Sequence, residues 1–214
     1  MYRCLATQFT IPRPSGDILK FRNLVLFLFL ASITVLAQTS GWTIDPNHSA
    51  AHFTVRHMGL SNVTGTFDKV SGNAQMDDKD FTKSSVDAVI DVSSVDTRVQ
   101  MRDNDLRSDH FFDVAKYPTM EFKSKRIEKQ ADGYKLIGDL TMRGVTKEVA
   151  LNMDEPSAIM TDQHGNAHRG FSATTTINRK DWGMTYNNLL QSGEAVVGDT
   201  IKIQIDAELV KKKA

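Results

Sequence analysis

From Gly41 onward the chain alternates apolar and polar residues with a period of two, and this narrows its possible folds more than any other feature. Ala51, Phe53, Val55 and His57 fall on one face, His52, Thr54 and Arg56 on the other. The same rhythm carries Val63, Gly65 and Phe67; Val86, Ala88, Ile90 and Val92; Met120 and Phe122; and Tyr134, Leu136, Gly138, Leu140 and Met142. It continues through Val145, Val149, Leu151 and Met153; Phe171, Ala173, Thr175 and Ile177; and Ile201, Ile203, Ile205, Ala207 and Leu209. About eight strands result, each with one apolar face. Turn signals at Asp77-Asp78, Asp132-Gly133, Arg143-Gly144 and 162–166 separate them, and turns this short join antiparallel neighbours. Such an all-β chain closes into a barrel or a two-sheet sandwich. An antiparallel barrel of about eight strands is just wide enough to hold one small or elongated ligand.

The rhythm stops at "TRVQMRDNDLRSDHFFD", residues 97–113. Thr97 with Gln100 three residues on fits a capping box, which predicts a helix beginning at Arg98. Ser108-Asp109 predicts a second helical turn, with the acidic residue at its positive end. Tyr117 precedes Pro118 and ends the excursion. The expectation is a short helical insertion near residues 97–117, with Val99, Met101, Leu106, Phe111 and Phe112 facing the barrel. Its three arginines and three aspartates within 98–109 read as ion pairs on a wet face.

The N-terminal part differs in kind. Lys20 and Arg22 precede the uncharged apolar run Leu24–Ala37, and Val35 and Ala37 occupy the −3 and −1 positions for a cut before Gln38. The run is shorter than the roughly 20 residues of a spanning helix. Residues 1–37 therefore read as a leader with a signal peptide, and 38–214 as a single exported domain, periplasmic or secreted, with no stable membrane anchor after cleavage. Residues 1–19 precede the layout of an ordinary signal, look like a start-site artefact and are set aside. Cys4, the one cysteine, lies in this leader, so the mature domain uses neither disulfides nor thiolate chemistry. The leader carries a net charge of +3, which leaves −3 for the remainder because the whole chain sums to zero. Without clustered Lys and Arg, nucleic acid is not an expected partner.

Chemistry-bearing residues are sparse. His48 and His52 share a strand face that His57 does not, so the three do not converge on a metal. His164 and His168 flank a turn, and the expectation is no metal and no cofactor. No nucleophile elbow, phosphate loop or dinucleotide fingerprint occurs. The charged residues of 98–109 bring no nucleophile beside a perturbed carboxylate, so an enzyme is the minority expectation. Inward-phase Phe and Met fit either a packed core or a cavity lined by adaptable apolar side chains, which would suit a long flexible lipid. The small inward residues Gly65, Ala88, Gly138, Ala173 and Thr175 would leave room for it.

Four blocks resemble the YceI-like family in order and separation: "WTIDPNHSAAHFTVRHMGLSNVTGTF" (42–67), "VDAVIDVSSVDTRVQMRDNDLRSDHFFDVAKYPTMEF" (86–122), "GDLTMRGVTKEVAL" (138–151) and "GFSATTTINRKDWGM" (170–184). The resemblance runs from about Trp42 to Leu209 and implies an extended, lipocalin-like barrel with a long apolar tunnel. It also implies an exported, non-enzymatic binder of an amphiphilic isoprenoid or fatty-chain molecule, such as a polyprenyl lipid or quinone. The rival classes on the same barrel are an enzyme acting on a lipid-like substrate through Asp109 and His110, and a stress or adhesion protein whose bound lipid is structural. A homodimer is compatible with such a barrel. The expected tunnel contacts are Phe53, Val55, Phe67, Ile90, Phe122, Leu140 and Phe171 on strands, Met101, Leu106, Phe111 and Phe112 on the insertion, and Trp182. His57, Arg98, Arg102 and Asn104 are the expected head-group contacts, while "INRKDWGM" would place Arg179, Asp181 and Trp182 near the barrel end.

Overall fold

A computed structural model describes residues 39–211; the leader and signal peptide expected at 1–37 lie outside the described residues. The strands are β1 (Thr39–Ile44), β2 (Ala50–His57), β3 (Ser61–Phe67), β4 (Val70–Asp77), β5 (Ser85–Asp91), β6 (Val95–Asp96), β7 (Thr119–Gln130), β8 (Gly133–Met142), β9 (Val145–Met153), β10 (Met160–Thr161), β11 (Ala167–Asn178) and β12 (Val197–Lys211). Eight of them close a ring in the order β1-β4-β5-β7-β8-β9-β11-β12, with β12 returning to β1 and each pair antiparallel. This is the expected eight-stranded barrel, although the strand sets named from the alternation include neither β1 nor β4. The β2–β3 hairpin, paired to β12 through β2, and the short β6 extend the wall beyond the ring.

β12 holds the closure together. Along one edge it pairs with β11 from Asn178↔Thr200 to Ala167↔Lys211. Its other edge changes partner: β2 covers it as far as Asp206, and β1 takes over at Leu209 and Val210. At the β8–β9 corner, Arg143 (φ 50) and Gly144 (φ 71) form a two-residue hairpin loop between Met142 and Val145. Both central residues at positive φ is the turn whose twist matches that of the strands it joins.

The insertion folds differently from expectation. Its one helix, α1, spans Gln100–Arg107, and its N-cap residue is Val99, which makes no side-chain cap. Thr97 pairs instead with Asp103: Asp103 Oδ1 accepts from Thr97 N–H (2.8 Å) and from its hydroxyl (2.5 Å). The shorter acid side chain, one turn further on, wins because Arg98 at φ 64 turns the chain away before the helix begins. Ser108-Asp109 starts no second helix; Ser108 terminates the first, its hydroxyl donating to Asp105 O at 2.7 Å.

The inward glycines also act differently. A Cβ on Gly65 would stand 2.4 Å from the Phe53 ring and 2.8 Å from Thr97 Cγ2. On Gly138 it would stand 2.6 Å from the Phe122 ring and 2.4 Å from the Lys123 carbonyl oxygen. The space these glycines leave is taken by phenyl rings lying across the neighbouring strand. Gly65→Ala meets mainly movable side chains, whereas Gly138→Ala meets backbone. Overpacking of about 1–3 kcal/mol is the general scale, and Gly138→Ala is expected at or above its upper end, with Gly65→Ala near the lower. Thermal melts of the two variants check the order.

Candidate ligand-binding cavity

Inward side chains of the ring, the β2–β3 hairpin and the insertion line a cavity of about 270 Å³. Ile44, Ala74, Ala88, Leu140, Val149, Ile203 and Ile205 wall it from six ring strands. Their outward neighbours are the polar partners of the alternation, so each strand contributes to the cavity at every second residue. Several wall residues, among them Phe53, Ile90, Phe122 and Ile203, are only half-buried. They pack on the wall and leave apolar surface uncovered toward the interior.

One end is filled by Phe81, which sits on a 3₁₀ turn (Phe81–Lys83) capped by Asp80, whose carboxylate accepts from Thr82 N–H. Its ring lies edge-on to Tyr134 (4.9 Å between centroids) and stacked near Phe171 (5.9 Å), with Arg169 over both phenylalanines. Hydrogen bonds from Thr82 hold the Asp80 carboxyl below the usual carboxylate range.

The insertion covers another part. Leu106, Phe111 and Phe112 line the cavity, and Phe112 meets Phe67 edge-on at 5.4 Å. Phe67 in turn stacks obliquely on Phe53 at 5.7 Å. Tyr186 reaches the same place from the segment before β12, flat against His110 (4.1 Å) and edge-on to Phe111 (5.7 Å).

Arg179, beside Trp182 on the turn after β11, is the one Lys, Arg, Asp or Glu lining the cavity among the described residues, and it is 2 % exposed. Nε donates to Gly198 O (3.1 Å), Nη1 to the carbonyls of Met184 and Tyr186, and Nη2 to Val197 O (3.4 Å) and Asp199 Oδ1 (3.0 Å). A guanidinium has five donors, and all five are engaged. Burial pushes its pKa down while Asp199 opposes the shift, so it stays a cation. It ties the 184–199 segment to the end of β11 and has no donor left over.

Of the expected contacts, Phe53, Val55, Phe67, Ile90, Leu106, Phe111, Phe112, Phe122, Leu140 and Phe171 come together around the cavity. Six others do not line it. Met101 is 81 % exposed on the outer face of α1, and Val99, expected inward with it, is also exposed. The helix offers the barrel only Leu106 because its first turn is held outward by Thr97 and Asp103. Trp182 is buried in the core, its indole N–H donating to Leu140 O at 3.2 Å. Arg102 spends Nε and Nη2 on Thr97 Oγ1 (2.7 Å) and Thr97 O (2.8 Å). Arg98 is exposed, Asn104 accepts from Gln100, and His57 is half-buried at the end of β2. His110 pairs with Asp105 at 2.8 Å, and Asp109 is exposed. Arg179 was not among the expected ligand contacts. Its signal was a charged residue at the point where the apolar phase of β11 would have continued.

Residues 42–209 match the YceI-like domain. The chain is 30% identical over 169 residues to the UPF0312 protein SA2479 of Staphylococcus aureus, which covers 79% of this chain and 96% of the relative. Among solved structures it is similar to a Campylobacter jejuni YceI protein, with 31% identity, a TM-score of 0.62 and 74% and 90% of the two chains covered. The same fold occurs in a polyisoprenoid-binding domain from Saccharophagus degradans, at 18% identity and a TM-score of 0.56, over 80% and 98% of the chains.

Removing the guanidinium tests its assignment as a tie. Arg179→Leu leaves several backbone carbonyls without donors, at about 1–3 kcal/mol for each that stays buried. The expected result is a lower melting temperature with faster hydrogen exchange across 184–198. A variant with wild-type exchange there would refute the tie.

Proposed function

The chain belongs to the YceI-like family, and from that membership and the shape of its cavity we propose that it binds an amphiphilic isoprenoid or fatty-chain molecule, a polyprenyl lipid or quinone, and sequesters or carries it outside the cytoplasm once the leader is removed. The observation that carries this reading is the set of inward apolar side chains left half-buried around a continuous cavity. A domain with no use for the space gains by packing it, because uncovered apolar surface forgoes both hydrophobic and dispersion energy. A bound hydrocarbon recovers that energy at about 0.8 kcal/mol per buried carbon, or about 4 kcal/mol per five-carbon isoprene unit before ordering costs. The fold shared with the Saccharophagus degradans domain supports the same ligand class.

The aromatic contact between Tyr186 and His110-Phe111 joins two segments that both cover the cavity, and its parting is the proposed route of entry. The reading is of a carrier, so the ligand leaves chemically unchanged.

Native mass spectrometry of the protein purified from its own cell envelope, followed by lipid extraction, tests the proposal. A bound species with isoprene mass spacing or a long acyl chain is expected. Ile203→Trp fills the cavity from its wall and Phe53→Asp places a charge in it; both are expected to lose the bound species. A folded Ile203→Trp protein with wild-type lipid occupancy would overturn the cavity assignment. Conversion of the recovered lipid on incubation would favour the enzyme instead.

A further inference from the structure

We infer that Asp45, His48 and Glu208 form a binding site for a divalent transition-metal ion of the Zn²⁺ type, on the outer wall and independent of the lipid cavity. One ligating atom from each residue lies within 4.8 Å of the other two. His48 shares a strand phase with His52, but its ring meets Asp45 three residues back and faces Glu208 from the distant β12.

The backbone builds the site. Glu208 falls where β12 changes partner, between Asp206 on the β2 side and Leu209 on the β1 side. The 45–49 corner fills that gap: Asp45 N–H donates to Glu208 O (2.8 Å), and Glu208 N–H donates to the hydroxyl of buried Ser49 (3.0 Å). Asp45 Oδ1 accepts from Asn47 N–H (2.9 Å), which leaves Oδ2 against His48 Nδ1 (2.9 Å). The two strand segments that supply the ligands are thus held in register by main-chain bonds that do not involve the ligating atoms.

His168 positions the third ligand. Its Nδ1 is 2.6 Å from Glu208 Oε1 and its Nε2 is 3.2 Å from Asp162 Oδ2, so one imidazole links the glutamate to a second carboxylate. Such an outer partner orients a ligating carboxylate and is commonly worth 10–100-fold in affinity.

An imidazole nitrogen with two carboxylate oxygens suits Zn²⁺, whereas Mg²⁺ and Ca²⁺ favour oxygen alone. The His48 side chain is 63% exposed, which leaves a side open for a completing water.

The test is calorimetric titration of untagged, chelator-treated full chain with Zn²⁺ alone. One saturable equivalent is expected, not displaced by equimolar Mg²⁺. His48→Ala and Glu208→Gln should each weaken it tenfold or more, and His52→Ala should leave it unchanged. His168→Ala should weaken binding, and His168→Gln, which still donates to Glu208, should recover most of it; a merely structural histidine would show no such recovery. His48 is exposed, so His48→Ala tests the ligand set even if Glu208→Gln does not fold, with circular dichroism confirming its fold. Absence of a saturable equivalent in the wild type, or undiminished affinity in folded His48→Ala, overturns the site. Neither result bears on lipid occupancy.

Discussion

The structure depends on the two edges of β12. A barrel exists only if its last strand finds its first, and here one 15-residue strand pairs with β11 along one side while β2 and then β1 share the other. Sharing an edge between two strands leaves a step, and a step in a sheet exposes main-chain donors and acceptors. The corner at 45–49 resolves this by giving Asp45 N–H and the Ser49 hydroxyl to Glu208. The same solution that closes the ring brings two carboxylates and an imidazole together on its outside. Closure and the proposed metal site are one piece of geometry.

Closure at eight strands also sets what the inside can be. Side chains of ordinary size reach toward the axis but do not fill the volume, and Phe53 and Phe122 lie flat over Gly65 and Gly138 rather than pointing to the centre. Flattening two of the largest inward residues widens the interior. Phe81, Phe111 and Phe112 cover parts of it with rings, and Arg179 ties a covering segment down. The result is a cavity walled by the sheet and covered by irregular segments that side-chain hydrogen bonds and ring contacts hold in place.

Much of this was readable in the residues, and the failures have physical causes. Strands such as β2, β8 and β12 alternate with large apolar residues, so their phase is unambiguous. β4 carries its inward phase on Val70, Gly72, Ala74 and Met76, and small residues of weak strand preference hide the rhythm. Its Gly72 takes φ 149, with the Asp87 carbonyl 2.1 Å from where a Cβ would lie, so the glycine is there for close strand approach. The insertion was placed correctly and capped wrongly, because three-residue spacing says nothing of the positive φ at Arg98 that lets Asp103 reach Thr97. The glycines were read as empty space because sequence shows the missing side chain and not the neighbour that fills its place.

The arginines carry the remaining lesson. Arg98, Arg102 and Asn104 looked available to a polar head group because charge on a wet helix is usually free. Yet Arg102 is spent on Thr97, Arg107 donates to the carbonyls of Ser93 (3.0 Å) and Val95 (2.6 Å), and Arg179 has no donor left. Each ties irregular backbone that a sheet ladder would otherwise have satisfied, which is the use a planar five-donor group serves best. Positive charge around the cavity is therefore largely consumed in holding its covers. For a ligand bound as proposed, the protein can discriminate by the length and bulk of the hydrocarbon far better than by the head, because hydrocarbon is what the free surface contacts. A polyprenyl chain and a quinone with the same tail then differ little in affinity, and each added isoprene unit counts until the cavity is full.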